Sequence, residues 1–179
     1  MPIQQFSSRS PSGEPQLEEE FEETIALSEP QTVLQLFSKD EGTGTLYLTS
    51  RRVIWLSSQD LDKGYAMDYP FIVLHAISRD PATFEHPCIY CQLREGINGE
   101  INEDFEEEEV PIPEMRFIPV DSSKLQRIFD VFSELAADNP DPDFECSEDD
   151  EDLDNSVYWE PQPAMDGEMN DADEAAKLN

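Results

Sequence analysis

Long apolar runs are missing from this 179-residue chain: nowhere do about 18 apolar residues follow one another, so no helix is expected to span a bilayer. Residues 1–16 lack both a basic n-region and an apolar h-region, so a secretory signal is not expected. Cysteine is scarce, with three residues and no framework spacing, which suits a reducing compartment. The expected location is therefore cytoplasmic and also nuclear, with cytoskeletal or membrane association left open. Basic residues are scarcer still in proportion: 11 Lys and Arg stand against 42 Asp and Glu, a formal net charge of -31. Such a chain repels phosphate backbones and anionic lipid, so direct nucleic-acid binding is not expected and a basic protein is the natural partner. Histidine numbers two, and no G-x-S-x-G, P-loop or G-x-G-x-x-G motif occurs. An enzyme is not expected, and neither is a cofactor.

What remains is a β-rich middle between acidic ends. Residues 1–29 are Ser/Pro-rich and then acidic, through Glu18, Glu19, Glu20, Glu22 and Glu23, and read as a disordered lead-in. Residues 30–139 read as one domain. Alternating or apolar segments at 32–37, 45–49, 52–57, 65–69, 71–78, 88–94 and 114–120 predict seven strands. Residues 38–43 are expected to form a turn, punctuated by Gly42 and Gly44, and Pro70 separates two strands because it cannot donate to a ladder. An acidic insertion covers 95–113. The period then changes to 3.6: Leu125, Ile128, Phe129, Phe132 and Leu135 form one stripe of a helix over 122–138. Asp121 or Ser122 can cap its start, and Asn139-Pro140 ends it. Residues 140–179 form an acidic tail that reads as disordered.

Few side chains offer chemistry. Cys88 and Cys91 make a C-x-x-C with His86 nearby, but residues three apart in a strand face opposite sides, so two ordinary strand cysteines are preferred over a metal site. His75 reads as a hydrogen-bonded strand residue. Glu106, Glu107, Glu108 and Glu109 in the insertion, with Glu148, Asp149 and Asp150 in the tail, can either solubilise the chain or screen the basic surface of a client. Ser147, followed by an acidic run that begins Glu148, Asp149, Asp150 and Glu151, fits an acid-directed kinase, against the alternative of an unmodified serine in an acidic tail.

Seven strands followed by one amphipathic helix resemble a pleckstrin-homology-like barrel or sandwich, mainly β, whose helix plugs one end. Phosphoinositide binders of that fold place basic residues in the first hairpin turn. Here that turn holds one Lys, Lys39, beside Asp40 and Glu41. Gly42 to Tyr47, Arg52 to Leu56, Asp68-Tyr69-Pro70, Leu74 to Asp80, Met115 to Pro119 and Asn139 to Pro142 closely resemble the pICln family, known both as methylosome subunits and as chloride-conductance regulators. The resemblance covers roughly residues 30–145.

That resemblance implies a chaperone of small nuclear ribonucleoprotein assembly. It would hold basic, ring-forming Sm proteins off RNA by offering a sheet edge, and present them to an arginine methyltransferase. Phe71, Val73, His75, Ile77 and Arg79 are the expected strand edge. The family's methyltransferase docking motif corresponds to residues 167–173, where Gly167, Asp171, Ala172 and Asp173 match and Met169 replaces Phe. Two alternatives stay open: regulation of chloride conductance and cell volume at the membrane, and a general acidic chaperone for basic proteins such as histones.

Overall fold

The computed structural model describes residues 3–94 and 113–141. Among these, eight strands form one antiparallel sheet followed by one α-helix. The strands are β1 (Gln4–Gln5), β2 (Ile25–Leu36), β3 (Lys39–Thr49), β4 (Arg52–Ser57), β5 (Gly64–Asp68), β6 (Ile72–Ser78), β7 (Cys88–Leu93) and β8 (Glu114–Pro119), and the helix is α1 (Leu125–Asp138). Their order across the sheet is β1-β5-β4-β3-β2-β8-β7-β6.

The sheet turns on β2. Its whole length pairs with β3, while Thr32–Leu36 alone pairs with β8 on the other side. Three register shifts break the β2–β3 ladder, and Gln31 at one of them takes a positive φ of 54°. Such bulges bend a strand and raise its twist, which lets one long strand serve both halves of the fold. Trp55 of β4 lies in the enclosed interior and donates from its indole N–H to the Thr32 carbonyl at 2.9 Å. Gly44 gives its ring room, since a Cβ there would stand 2.6 Å from the indole.

The helix forms as its stripe dictates. Asp121 accepts from the Ser123 amide at 3.0 Å to cap the short 3₁₀ turn Ser122–Lys124 that leads into α1. Leu125, Ile128, Phe132 and Leu135 are buried against the sheet, and Phe129 packs at their border. At the far end the Asn139 side-chain amide donates to the carbonyls of Leu135 and Ser50, at 2.8 and 2.9 Å, and so pins the helix to the β3–β4 turn.

Two expectations need correction. The turn expected at 38–43 is shorter: Phe37 and Ser38, both at positive φ (49° and 66°), join β2 to β3, and Gly42 and Gly44 lie inside β3. A two-residue turn with both φ positive matches the strand twist even without glycine. The lead-in expected to be disordered is built into the fold at residues 3–29. Ile3 is 1% exposed in the main core, β1 pairs with β5, and β2 begins at Ile25. Two of its carboxylates, Glu18 and Glu23, are paired with Arg52 there. The buried Glu23 carboxylate accepts from Arg52 Nε at 2.9 Å, from a second guanidinium nitrogen at 3.0 Å, from Thr49 Oγ1 at 2.7 Å and from the Glu18 amide at 2.8 Å. The expected acidic insertion and tail lie outside the described residues except at Pro113, Pro140 and Asp141.

Candidate protein-binding edge

A sheet that does not close has two ends, and here they are unlike. At one end β1 lies along β5. At the other, β6 has β7 on one side and, among the described residues, no strand on the other.

Main-chain direction along β6 follows from its neighbours. The Arg94 amide donates to the Phe71 carbonyl at 2.9 Å, and the Leu93 amide donates away from β6, to Pro113, at 2.8 Å. In an antiparallel pair the groups alternate residue by residue. With Leu74 opposite Gln92, Ala76 opposite Tyr90 and Ser78 opposite Cys88, those three residues turn their N–H and C=O toward β7. His75 and Ile77 therefore turn theirs toward the open side, as a strand arriving there would require.

The side chains of the edge do a different job. Ile77 packs on the core, and His75 Nε2 lies 2.9 Å from Ser133 Oγ of α1, its ring against Phe129 and Phe132. Val73 and Leu74 stand outward, 60% and 44% exposed. Two adjacent residues face out because the register shifts between Ile72 and Leu74. The five residues expected at the edge thus divide. Phe71 precedes the strand in the 3₁₀ turn Tyr69–Phe71, with its side chain on the core and its carbonyl already used. Arg79 is exposed just past the strand end. Val73, His75 and Ile77 lie in β6, and Leu74 belongs with them. An uninterrupted alternation of period two hides that bulge; the adjacent Val-Leu pair is the signal that could have revealed it.

Burial lowers the His75 pKa below 6.5. Folding therefore favours the neutral ring: its stabilisation is complete above about pH 6.5 and is lost as pH falls through the lowered value. We expect the β6–α1 contact to weaken only as pH falls below about 6.5, with His75→Gln removing that part of the pH dependence in urea melts. An identical pH dependence in the variant would contradict this.

Elsewhere the buried charged groups, Glu23, Glu41 and Arg52, are paired. Glu41, in the β2–β3 register shift, binds Lys63 at 2.6 Å and Lys39 at 3.0 Å, so the basic charge near the first hairpin is cancelled. Burial and the Glu41 carboxylate push the Tyr65 hydroxyl up to about 12. Cys88 and Cys91 lie in β7, both fully buried; burial raises both thiols, so neither is poised as a nucleophile. Among the described residues no three His, Cys, Asp or Glu side chains gather to hold a metal, and no helix is long and apolar enough to cross a membrane. Gly167, Met169, Asp171, Ala172 and Asp173, Glu106 to Glu109, Glu148, Asp149, Asp150 and Ser147 lie outside the described residues.

Comparison with known proteins places this fold. The family described as "Voldacs: Regulator of volume decrease after cellular swelling" matches residues 44–174. The chain is 41% identical over 167 residues to "Chloride conductance regulatory protein ICln" of Arabidopsis thaliana, covering 90% of this chain and 72% of that protein. It is 37% identical over 130 residues to "Methylosome subunit pICln" of Rattus norvegicus, covering 69% of this chain and 54% of that one. It thus spans about half the length of its mammalian relatives. Among solved structures, a chain of "The 8S snRNP Assembly Intermediate" superposes with a TM-score of 0.53 at 23% identity, over 65% of this chain and 85% of that one. The "Vps36 N-terminal PH domain" superposes with a TM-score of 0.56 at 12% identity, over 74% and 92%. The sheet capped by one helix is therefore a pleckstrin-homology-like fold, and the chain belongs to the Voldacs (pICln) family.

Proposed function

We propose that this protein is a non-catalytic chaperone and adaptor for basic Sm-type proteins, which it holds off RNA by pairing a client strand with the open side of β6. The observation that carries this reading is the edge itself: outward main-chain groups at His75 and Ile77, flanked by the exposed Val73 and Leu74. Strand addition takes its affinity from main-chain hydrogen bonds and its selectivity from neighbouring side chains. The net charge of -31 complements a basic client and disfavours RNA. Relatives named as methylosome subunits, and a structural neighbour from an assembly intermediate, support the same reading.

The acidic segments containing Glu106 to Glu109 and Glu148 to Asp150 would screen the basic surface of the client. Residues 167–173 would recruit the methyltransferase, with Met169 filling an apolar pocket in place of Phe. Met169→Ala combined with Asp171→Ala is expected to abolish methyltransferase pull-down while client binding stays intact. Loss of both would show that the docking site is misplaced.

The decisive experiment is capture of purified Sm heterodimers at physiological salt, with histones as competitors. Retention of the Sm pair supports the reading; failure to hold it, or displacement by histones, contradicts it. The relative named for chloride conductance favours a second reading at the membrane. Flotation with liposomes tests it, and the cancelled charge of Lys39 and Lys63 predicts no flotation.

A further inference from the structure

The end of the sheet opposite β6 is closed by the chain's own N-terminal segment, and the closure is thorough. The Phe6 amide donates to the Gly64 carbonyl at 2.8 Å, with Gln5 opposite Tyr65 and Gln4 opposite Ala66. The Ser57 amide donates to the Lys63 carbonyl on the β4 side, so by alternation Gly64, Ala66 and Asp68 turn their main chain away from β4. The segment takes Gly64 and Ala66. It also closes both faces. Ile3 enters the main core, while Phe6 packs on a second cluster of Tyr47, Ile54, Leu56 and Ala66.

Gly64 is shaped for this approach, since a Cβ there would stand 2.2 Å from the Phe6 carbonyl oxygen. Beyond Phe6 the chain stays fastened. Arg9 donates to the Ser57 carbonyl at 2.8 Å and to the Leu61 carbonyl at 3.3 Å. The chain then doubles back through a turn at Ser10–Glu14, and Arg52 grips Gln16, Glu18 and Glu23. An unprotected β5 would present a row of unpaired groups beside apolar surface, the usual template for edge-to-edge pairing.

We infer that residues 3–23 are a seal over a second strand-addition site on β5, and that without it this edge pairs with the same edge of a second copy of this chain. The intact protein then offers clients one edge, β6, and ends a line of paired strands instead of extending it. The inference goes beyond the client reading, and its self-association arm uses no client.

Two variants of the full chain test it. Gln4→Pro with Phe6→Pro removes the segment's two donors to β5. It is expected to form dimers as concentration rises in light scattering, with hydrogen-exchange protection of Gly64 and Ala66 rising in parallel. A folded variant that stays monomeric overturns the inference. So does one whose Gly64 and Ala66 stay protected at every concentration, because strand pairing is then not what holds the seal. The second variant, Gln4→Cys with Ala66→Cys, locks the segment down: directly opposed residues in an antiparallel ladder lie within disulfide reach. The oxidised form is expected to capture a purified Sm heterodimer at unchanged affinity and stoichiometry. Binding weakened by about tenfold or more would overturn the seal by showing that clients use β5. An unmodified chain that fails to bind would count against the client reading alone.

Discussion

Ile77→Pro is expected to weaken Sm heterodimer binding by about thirtyfold, ~2 kcal/mol, because the ring removes an outward donor and obstructs an arriving strand. The β6–β7 ladder should survive, since the Ile77 amide faces away from β7 and the inward pairs are made by Leu74, Ala76 and Ser78. Proline is tolerated at an edge strand only where its missing N–H faces outward. Ala76→Pro is the informative contrast. It breaks the internal ladder, so it should lower the urea midpoint of the domain strongly. Ile77→Pro should lower it modestly, through lost packing of a half-buried side chain. Titration calorimetry and urea melts on the two variants separate a binding defect from a folding defect. If Ile77→Pro binds normally, the client does not pair with β6.

Arg52→Met should have the largest effect on stability, about 3–5 kcal/mol, because it leaves the Glu23 carboxylate buried with its principal partner removed. That is a large fraction of the ~5–15 kcal/mol that holds a domain folded. The double variant Arg52→Met with Glu23→Gln should recover part of the loss. Acid should mimic the substitution. Burial works to raise the Glu23 pKa, but hydrogen bonds from Arg52, Thr49 and the Glu18 amide outweigh it and hold the value below 4.5. This stabilisation is complete above about pH 4.5 and is lost as pH falls through the lowered value, well below the range in which His75 acts. Urea melts at pH 7 and at acid pH check both statements. A loss under about 1 kcal/mol for Arg52→Met would show that the segment before β2 is not anchored by this pair.

The parts of the fold that were legible in sequence are those whose physics is local. Residues 52–57 alternate and end in a polar turn, and β4 has those bounds. The stripe from Leu125 to Leu135 carries its own period, and Asp121 and Asn139 cap and end the helix as their side chains dictate. What could not be read depends on distant partners. Glu18 and Glu23 look like disorder until Arg52, 29 residues beyond Glu23, supplies the compensating charge. Gln4 and Gln5 carry no strand pattern, and β5 alone makes them one. Phe37 and Ser38 are unremarkable for a turn that demands positive φ at both positions. At the edge, residues 71–79 were legible as a strand region. Its open side was not, because that depends on where β6 falls in the sheet order and on a bulge that displaces Val73 and Leu74.

The central claim is that a client strand pairs with the outer side of β6. Hydrogen exchange at single-residue resolution, on the full chain with and without a purified Sm heterodimer, tests it most directly. The account predicts that the amides of His75 and Ile77 exchange readily in the free protein and become protected in the complex, while Ala76, already paired with β7, changes little. Unchanged exchange at His75 and Ile77 in a saturated complex would contradict it.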